Sequence, residues 1–383
     1  MNVLILTCHT GKGHDSAAAA VAEELRCRGC GCTCVDALEL VSSRASRLVC
    51  GGHVWLYRHA PRLFDWGYRR ALVHPEAVLP GRLSQRKLTI AATRLESMLR
   101  NGGYSAVLCT HVFAGFLMNE LRGSYSVTTY FLATDYGCSP GVGLLDVDFW
   151  LIPDLDLVEE FCACGVPRNR LVPTGIPVRE KLLRYVPAEE AKIREGIDAA
   201  HGHLVMMCGS MGCGPMESVT REFVRVMEPN MELTVVCGSN DRLHRKLLRL
   251  YADQPGIHIR GYVENISRLM DSADVVLTKP GGISTTECAA KALPMVFIHA
   301  VAGCETHNLR YFQTLGGAIT ADNPGKLAEV SCALLKDKNR RSIMAESLSS
   351  RDFGRASHKV ADFIVNGETK DIVSGEWGLR DEN

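Results

Sequence analysis

Four short glycine-bearing stretches place the residues best able to do chemistry where an apolar run gives way to a helical pattern. The first is His9-Thr10-Gly11-Lys12-Gly13-His14, between VLIL at 3–6 and an alanine-rich segment. It is not a Walker A loop, because the lysine falls between the glycines, and residue 16 is Ser16 rather than the third glycine of a dinucleotide fingerprint. The glycines, Gly13 among them, let backbone amides approach a ligand. A helix start disfavours an imidazolium, so His14 is a candidate general base in its neutral form. The competing reading is a histidine in a tight turn, with Asp15 and Ser16 as N-cap residues.

The second stretch, Gly209-Ser210-Met211-Gly212-Cys213-Gly214, follows HLVMMC and precedes a helix. Three glycines there suit a diphosphate held by backbone N–H groups and the helix dipole. The third, Lys279-Pro280-Gly281-Gly282-Ile283-Ser284-Thr285-Thr286-Glu287, repeats the pattern. Its glutamate fits either a capping box in the first turn or a ribose diol, whose two hydroxyls a carboxylate accepts. In the fourth, Ala302-Gly303-Cys304-Glu305-Thr306-His307-Asn308, Glu305 and Asn308 lie three apart and share a helix face fit for sugar hydroxyls.

Positioning these loops requires short buried strands alternating with helices. Apolar runs at 3–6, 106–110, 127–134, 203–209, 233–238, 274–278 and 294–298 have that character. At 383 residues the chain exceeds the roughly 250–300 at which one core stops growing, so two domains are expected. The alternation restarts after 176–200, which carries prolines and charges but no apolar strand. The organisation read from this is an N-terminal domain over 1–175, a linker over 176–200, a C-terminal domain over 201–337, closing helices over 338–366 and a polar tail over 367–383. The fold class is α/β: two doubly wound parallel-sheet domains facing a cleft, with ligands beyond the carboxyl ends of the strands.

The formal net charge is zero, which excludes a generally basic nucleic-acid binder. Sixteen cysteines with no signal peptide suggest free thiols in a reducing interior, and Cys27, Cys30, Cys32 and Cys34 lack the second pair of a zinc site. No metal or cofactor is expected. No run of about 18 apolar residues could span a membrane. Residues 44–94, however, hold ten Arg or Lys against two acidic residues, interleaved with Trp55, Tyr57, Phe64, Trp66 and Tyr68. That mixture suits the anionic face of a bilayer; a solvated helical face with core aromatics is the plainer reading.

Together the loops resemble the diacylglycerol glycosyltransferases, the family of monogalactosyldiacylglycerol synthase and processive diacylglycerol glucosyltransferase, related to MurG. The resemblance is carried by LTCHTGKGHDSAAAAVAEEL, by TDY at 134–136, VCGSNDRLHRKL at 236–247, GYVENISRLMDSADVVLTKPGGISTTECAAKALP at 261–294, and AGCETHN with LGGAI after it. It implies a GT-B architecture and inverting, metal-independent transfer of a hexose from a UDP-sugar to diacylglycerol, by an enzyme peripheral on the inner face of the cell membrane. By motif position, His14 and Asp135 are the catalytic candidates. Gly209, Ser210, Met211 and Gly212 would hold the diphosphate, and Gly261, Tyr262 and Val263 would meet the uracil. Lys279, Pro280, Gly281 and Gly282 would face the phosphates and Ser284 would also bind substrate; Glu287 would bind the ribose, and Glu305 and Asn308 the donor sugar. The chain departs from the family at Lys12, where glycine is usual, at Cys304, where glutamine is usual, and after Tyr136, where Gly-Cys-Ser-Pro replaces a His and a Trp. Other readings of the same fold are a polyprenyl-linked acceptor, a UDP-sugar epimerase and a non-catalytic UDP-sugar sensor.

Overall fold

In the computed structural model the chain forms two parallel six-stranded sheets flanked by helices. The described residues are all but 10–11, 43, 45, 48, 50, 53–54, 57–59, 79–81, 299–302 and 368–383, together with the side chains of 61 and 82–84. The expected tail and parts of the first and fourth loops, Gly11 and Ala302 included, therefore lie outside them, as does Tyr57.

The first sheet runs β2-β1-β3-β4-β5-β6, with β1 at Asn2–Thr7, β2 at Gly31–Asp36, β3 at Ala106–Cys109, β4 at Thr128–Leu132, β5 at Phe149–Ile152 and β6 at Leu171–Pro173. The second runs β12-β11-β10-β7-β8-β9, with β7 at Gly202–Met207, β8 at Met231–Val236, β9 at Ile257–Arg260, β10 at Val275–Thr278, β11 at Met295–Phe297 and β12 at Ala318–Thr320. The longest apolar runs became the central strands because both their faces are covered, and β3, β8 and β10 are buried at every position. The short strands β5, β6, β9 and β12 went unread in the sequence; the last three are edge strands whose positions are only partly buried. Pro173 sits on such an edge, where no ladder donor is needed.

Each sheet has one point at which the winding reverses. In the first, the chain leaves β1 toward β2 and returns on the other side at β3; in the second, it leaves β7 toward β8 and returns at β10. Loops after the paired strands diverge there and open a crevice, the place where such sheets bind ligands. The HTGKGH loop follows β1, Gly209–Gly214 follows β7 and Lys279–Gly282 follows β10.

Residues 176–200 carry two short helices, Glu180–Leu183 and Ala188–Glu195, held to the second domain by Ser267 Oγ donating to Leu182 O and by the Lys192–Asp274 ion pair. The terminal helices do not act as one unit. Lys338–Ser349 lies on the second domain, whereas Ala356–Asn366 crosses back and packs Val360, Ala361, Phe363 and Ile364 against β1, β3 and the Lys12–Cys27 helix. Its apolar face covers sheet that the N-terminal segment leaves bare, so the first domain draws on both ends of the chain.

Candidate active site

His14 lies in the first turn of the Lys12–Cys27 helix, whose start after β1 aims the imidazole across the crevice toward β3. Its Nδ1 is 2.6 Å from the Thr110 carbonyl oxygen and 3.1 Å from Thr134 Oγ1. A carbonyl can only accept, so Nδ1 carries the hydrogen and Nε2 keeps its lone pair. The ring meets His111 edge-on at 4.8 Å. Burial lowers the His14 pKa, opposed by the charge of Asp135, and burial likewise raises that of Asp135 against its hydrogen bonds. Crowding by protein thus favours the neutral imidazole. The helix begins earlier than the sequence suggested: Asp15 and Ser16 are inside it and do not cap it. Asp15 instead accepts from Thr7 Oγ1 at 2.9 Å and pairs with His9 at 2.7 Å.

His14 and Asp135 line a cavity of about 640 Å³ whose walls are mostly apolar, with Leu63, Phe64, Val78, Phe113 and Phe116 among them. That volume is in the range of ordinary small-molecule sites. Cys304 and Glu305 of the second domain line it too, so the cavity spans the join of the domains.

On the second domain, Gly209, Gly212 and Gly214 all have positive φ, which L side chains rarely adopt. At Gly212 a Cβ would also fall 2.0 Å from the Cys237 carbonyl oxygen. Asn240 Nδ2 donates to Gly212 O, and the Ser239 N–H to Ser210 O, fixing the loop that also carries Met211. Lys279 lies along this loop, its Cε 3.2 Å from where a Gly209 Cβ would stand, and its Nζ bonds Glu305 Oε1 at 2.8 Å.

The domains are pinned at Gly282 and Asn308. Gly282 opens the Gly282–Ala290 helix against the Thr134 carbonyl, and its N–H bonds Asp135. Fully buried Asn308 donates to Asp135 Oδ1 and Pro280 O, and accepts from the Tyr136 N–H. Asn308 therefore bridges the domains in addition to sharing a helix face with buried Glu305. Tyr136 stacks on Tyr311 at 4.3 Å and bonds Thr286 across the same join.

The remaining positions are more dispersed. Gly281 precedes the helix and Ser284 lies in its first turn, but Glu287 lies in the second, so the capping-box reading fails. Burial pushes the Glu287 carboxyl up to about 7. The Gly261 carbonyl accepts from the Gly238 N–H, Val263 packs on the core, and Tyr262 is exposed with Lys12 Nζ 5.6 Å from its ring centroid. Sequence reading gave no site role to Thr110, Thr134 or Tyr68: Thr110 ends an apolar run, Thr134 opens the TDY motif, and Tyr68 was noted only among the aromatics of the basic stretch. No group of three His, Cys, Asp or Glu among the described residues could hold a metal ion, no disulfide joins the described cysteines, and no described helix is long and apolar enough to cross a membrane.

Residues 14–178 match the family model for monogalactosyldiacylglycerol (MGDG) synthase, and residues 203–360 that for the glycosyltransferase family 28 C-terminal domain. A processive diacylglycerol beta-glucosyltransferase of Bacillus cytotoxicus is 26% identical over 366 residues, covering 95% of this chain and 93% of the relative. Among solved structures, Acinetobacter baumannii MurG aligns with TM-score 0.61 at 16% identity, over 95% of this chain and 99% of that one. A UDP-GlcNAc 2-epimerase from Neisseria meningitidis bound to UDP-GlcNAc aligns with TM-score 0.63 at 11% identity, over 95% and 99%. These structural likenesses establish the two-domain GT-B fold.

Proposed function

From the premise that the chain belongs to the diacylglycerol glycosyltransferase family, an MGDG synthase domain followed by a family 28 C-terminal domain, we propose that it transfers a hexose from a UDP-sugar to the hydroxyl of diacylglycerol, with inversion and without a metal. The observation that carries this reading is the pairing of a base with an apolar chamber: His14, its Nδ1 committed to Thr110, lines a largely hydrophobic cavity of about 640 Å³ beside Asp135. A lipid acceptor needs such a chamber, and its hydroxyl needs such a base.

Nε2 of His14 takes the proton of the acceptor hydroxyl as its oxygen bonds to the anomeric carbon, and the bond from that carbon to the diphosphate oxygen breaks on the opposite side. Asp135 stabilises the imidazolium that forms, as a carboxylate near a catalytic histidine does. The amides of Gly209–Gly214 and the Lys279 ammonium neutralise the departing diphosphate, while Tyr262 and Val263 meet the uracil and Glu287 the ribose. Glu305 and Asn308 face the donor sugar. The Pro61–Val73 helix, with Trp66 61% exposed, Leu63 and Val73 exposed and Arg62, Arg69 and Arg70 beside them, docks on an anionic membrane and brings the cavity to its acceptor. An epimerase would have no use for an apolar chamber of this size.

Incubation with a panel of UDP-sugars and diacylglycerol in anionic vesicles, followed by mass analysis, tests the reading. A hexosyl-diacylglycerol is expected; UDP-sugar turnover without lipid, or no turnover, rejects it. His14→Ala is expected to cut transfer by about 10²–10⁴-fold with UDP binding retained.

A further inference from the structure

We propose that Tyr68 is a positioning residue that seals the acceptor cavity against the donor-sugar loop, so that the lipid hydroxyl and not water reaches the anomeric carbon. The inference rests on the glycosyltransferase reading above and adds a residue that the family motifs leave out.

Tyr68 belongs to the Pro61–Val73 helix of the first domain, yet its ring lies on Gly303, the residue that opens the Cys304–Leu315 helix of the second. A Cβ at Gly303 would stand 3.0 Å from ring atoms Cγ and Cδ2. Gly303 also has φ +82 and ψ −135, a conformation essentially confined to glycine, so the ring packs on bare backbone at a position where two constraints exclude a side chain. Tyr68 lines the same cavity as Asp135, Ser139, Cys304 and Glu305, and its hydroxyl is hydrogen-bonded to Ser139. One turn earlier Phe64 continues the aromatic wall, its ring centroid 6.5 Å from that of Tyr68. The outer positions of this helix include exposed Trp66 and Arg69. One helix therefore has its exposed residues toward solvent and its ring against the loop bearing Glu305.

The chemistry makes such a seal consequential. In transfer, a glycerol oxygen bonds to the anomeric carbon, the electron pair of the broken bond leaves on the diphosphate, and the proton goes to His14 Nε2. With water in place of the lipid the same base and leaving group give free sugar and UDP. Nothing in the base distinguishes the two nucleophiles, so selection must come from which oxygen is admitted, and exclusion of water by an aromatic wall supplies it.

The test measures free hexose and hexosyl-diacylglycerol together, for the full chain with diacylglycerol vesicles and a UDP-hexose that it uses. Tyr68→Ala is expected to raise the ratio of hydrolysis to transfer on the order of tenfold or more. Tyr68→Phe, which keeps the ring, is expected to restore the ratio toward that of the unaltered protein. A merely structural role would lower both products in proportion, and that result, or an unchanged ratio in Tyr68→Ala, overturns the proposal. Tyr68→Leu, which keeps an apolar side chain on the helix, replaces Tyr68→Ala should the latter fail to fold, with the same expectation. Absence of transfer with Tyr68 in place rejects the functional reading and this inference with it, whereas normal partitioning by the Tyr68 variants rejects only the inference.

Discussion

The side-chain amide of Asn308 donates to Asp135 Oδ1 at 2.8 Å, joining the second domain to a carboxylate of the first. The same side chain reaches Pro280 O at 2.9 Å and accepts the Tyr136 N–H at 2.6 Å, so a fully buried residue satisfies both its donors and its acceptor at the join. Asn308→Ala leaves these partners unpaired. We expect a stability loss of about 2–3 kcal/mol in denaturant titration. Transfer should fall as well, because Asp135 loses a bond that holds it beside His14; undiminished stability and transfer would contradict the bridging role.

The acid limb of the pH profile follows from the lowered His14 pKa. A base must be neutral to act, and burial holds this imidazole neutral to lower pH than an ordinary histidine, near 6.5. Activity is therefore expected to persist below pH 6.5 and to be lost as pH falls through the depressed value. The measurement is kcat/KM against pH. An acid limb centred at or above 6.5 would argue against His14 in this environment.

Gly282→Ala tests the seating of the domains. A Cβ there would stand 2.0 Å from the Thr134 carbonyl oxygen and 2.9 Å from Asp135 Oδ1, and the first of these contacts is with backbone that cannot rotate away. The domains must part or the chain must strain, at a cost of about 1–3 kcal/mol. Small-angle scattering should register a larger radius of gyration, with transfer reduced. An unchanged radius together with full activity would show that the join tolerates the methyl group.

The proposed membrane docking predicts a graded response to charge on the Pro61–Val73 helix. Arg70 lies 5.8 Å from the Trp66 ring centroid, and Arg69 pairs with Asp65 on the exposed face. Replacing Arg62, Arg69 and Arg70 by glutamine is expected to weaken binding to anionic vesicles by about 1 kcal/mol per cation, and Trp66→Ala to weaken it further. Cosedimentation with anionic and neutral vesicles reads this out; equal binding to both would remove the electrostatic part.

Much of the layout of the candidate site was legible in the sequence because the glycine loops that shape it are local signals. Gly209, Gly212 and Gly214 were read as a ligand loop from spacing alone, and the positive φ of all three gives the reason glycine recurs there. The central strands were equally readable, being apolar over their whole length. What escaped were partly buried edge strands, such as Ala318–Thr320, and helix starts misjudged by a few residues, which moved Asp15 out of a cap and into a bond with Thr7.

By itself, then, the sequence determined the alternation of strands and helices, the glycine loops at the strand ends and the candidacy of His14, all of which depend on conformation within a few residues. Only the tertiary structure decided which nitrogen of His14 is bare, since the carbonyl that fixes it lies 96 residues away at Thr110. Likewise only packing made Asn308 a bridge, brought Tyr68 onto Gly303 and returned the last helix to the first domain. Tautomer, pKa and water exclusion are set by what is within a few ångströms in space, and for this site those neighbours come from opposite ends of the chain and from both domains.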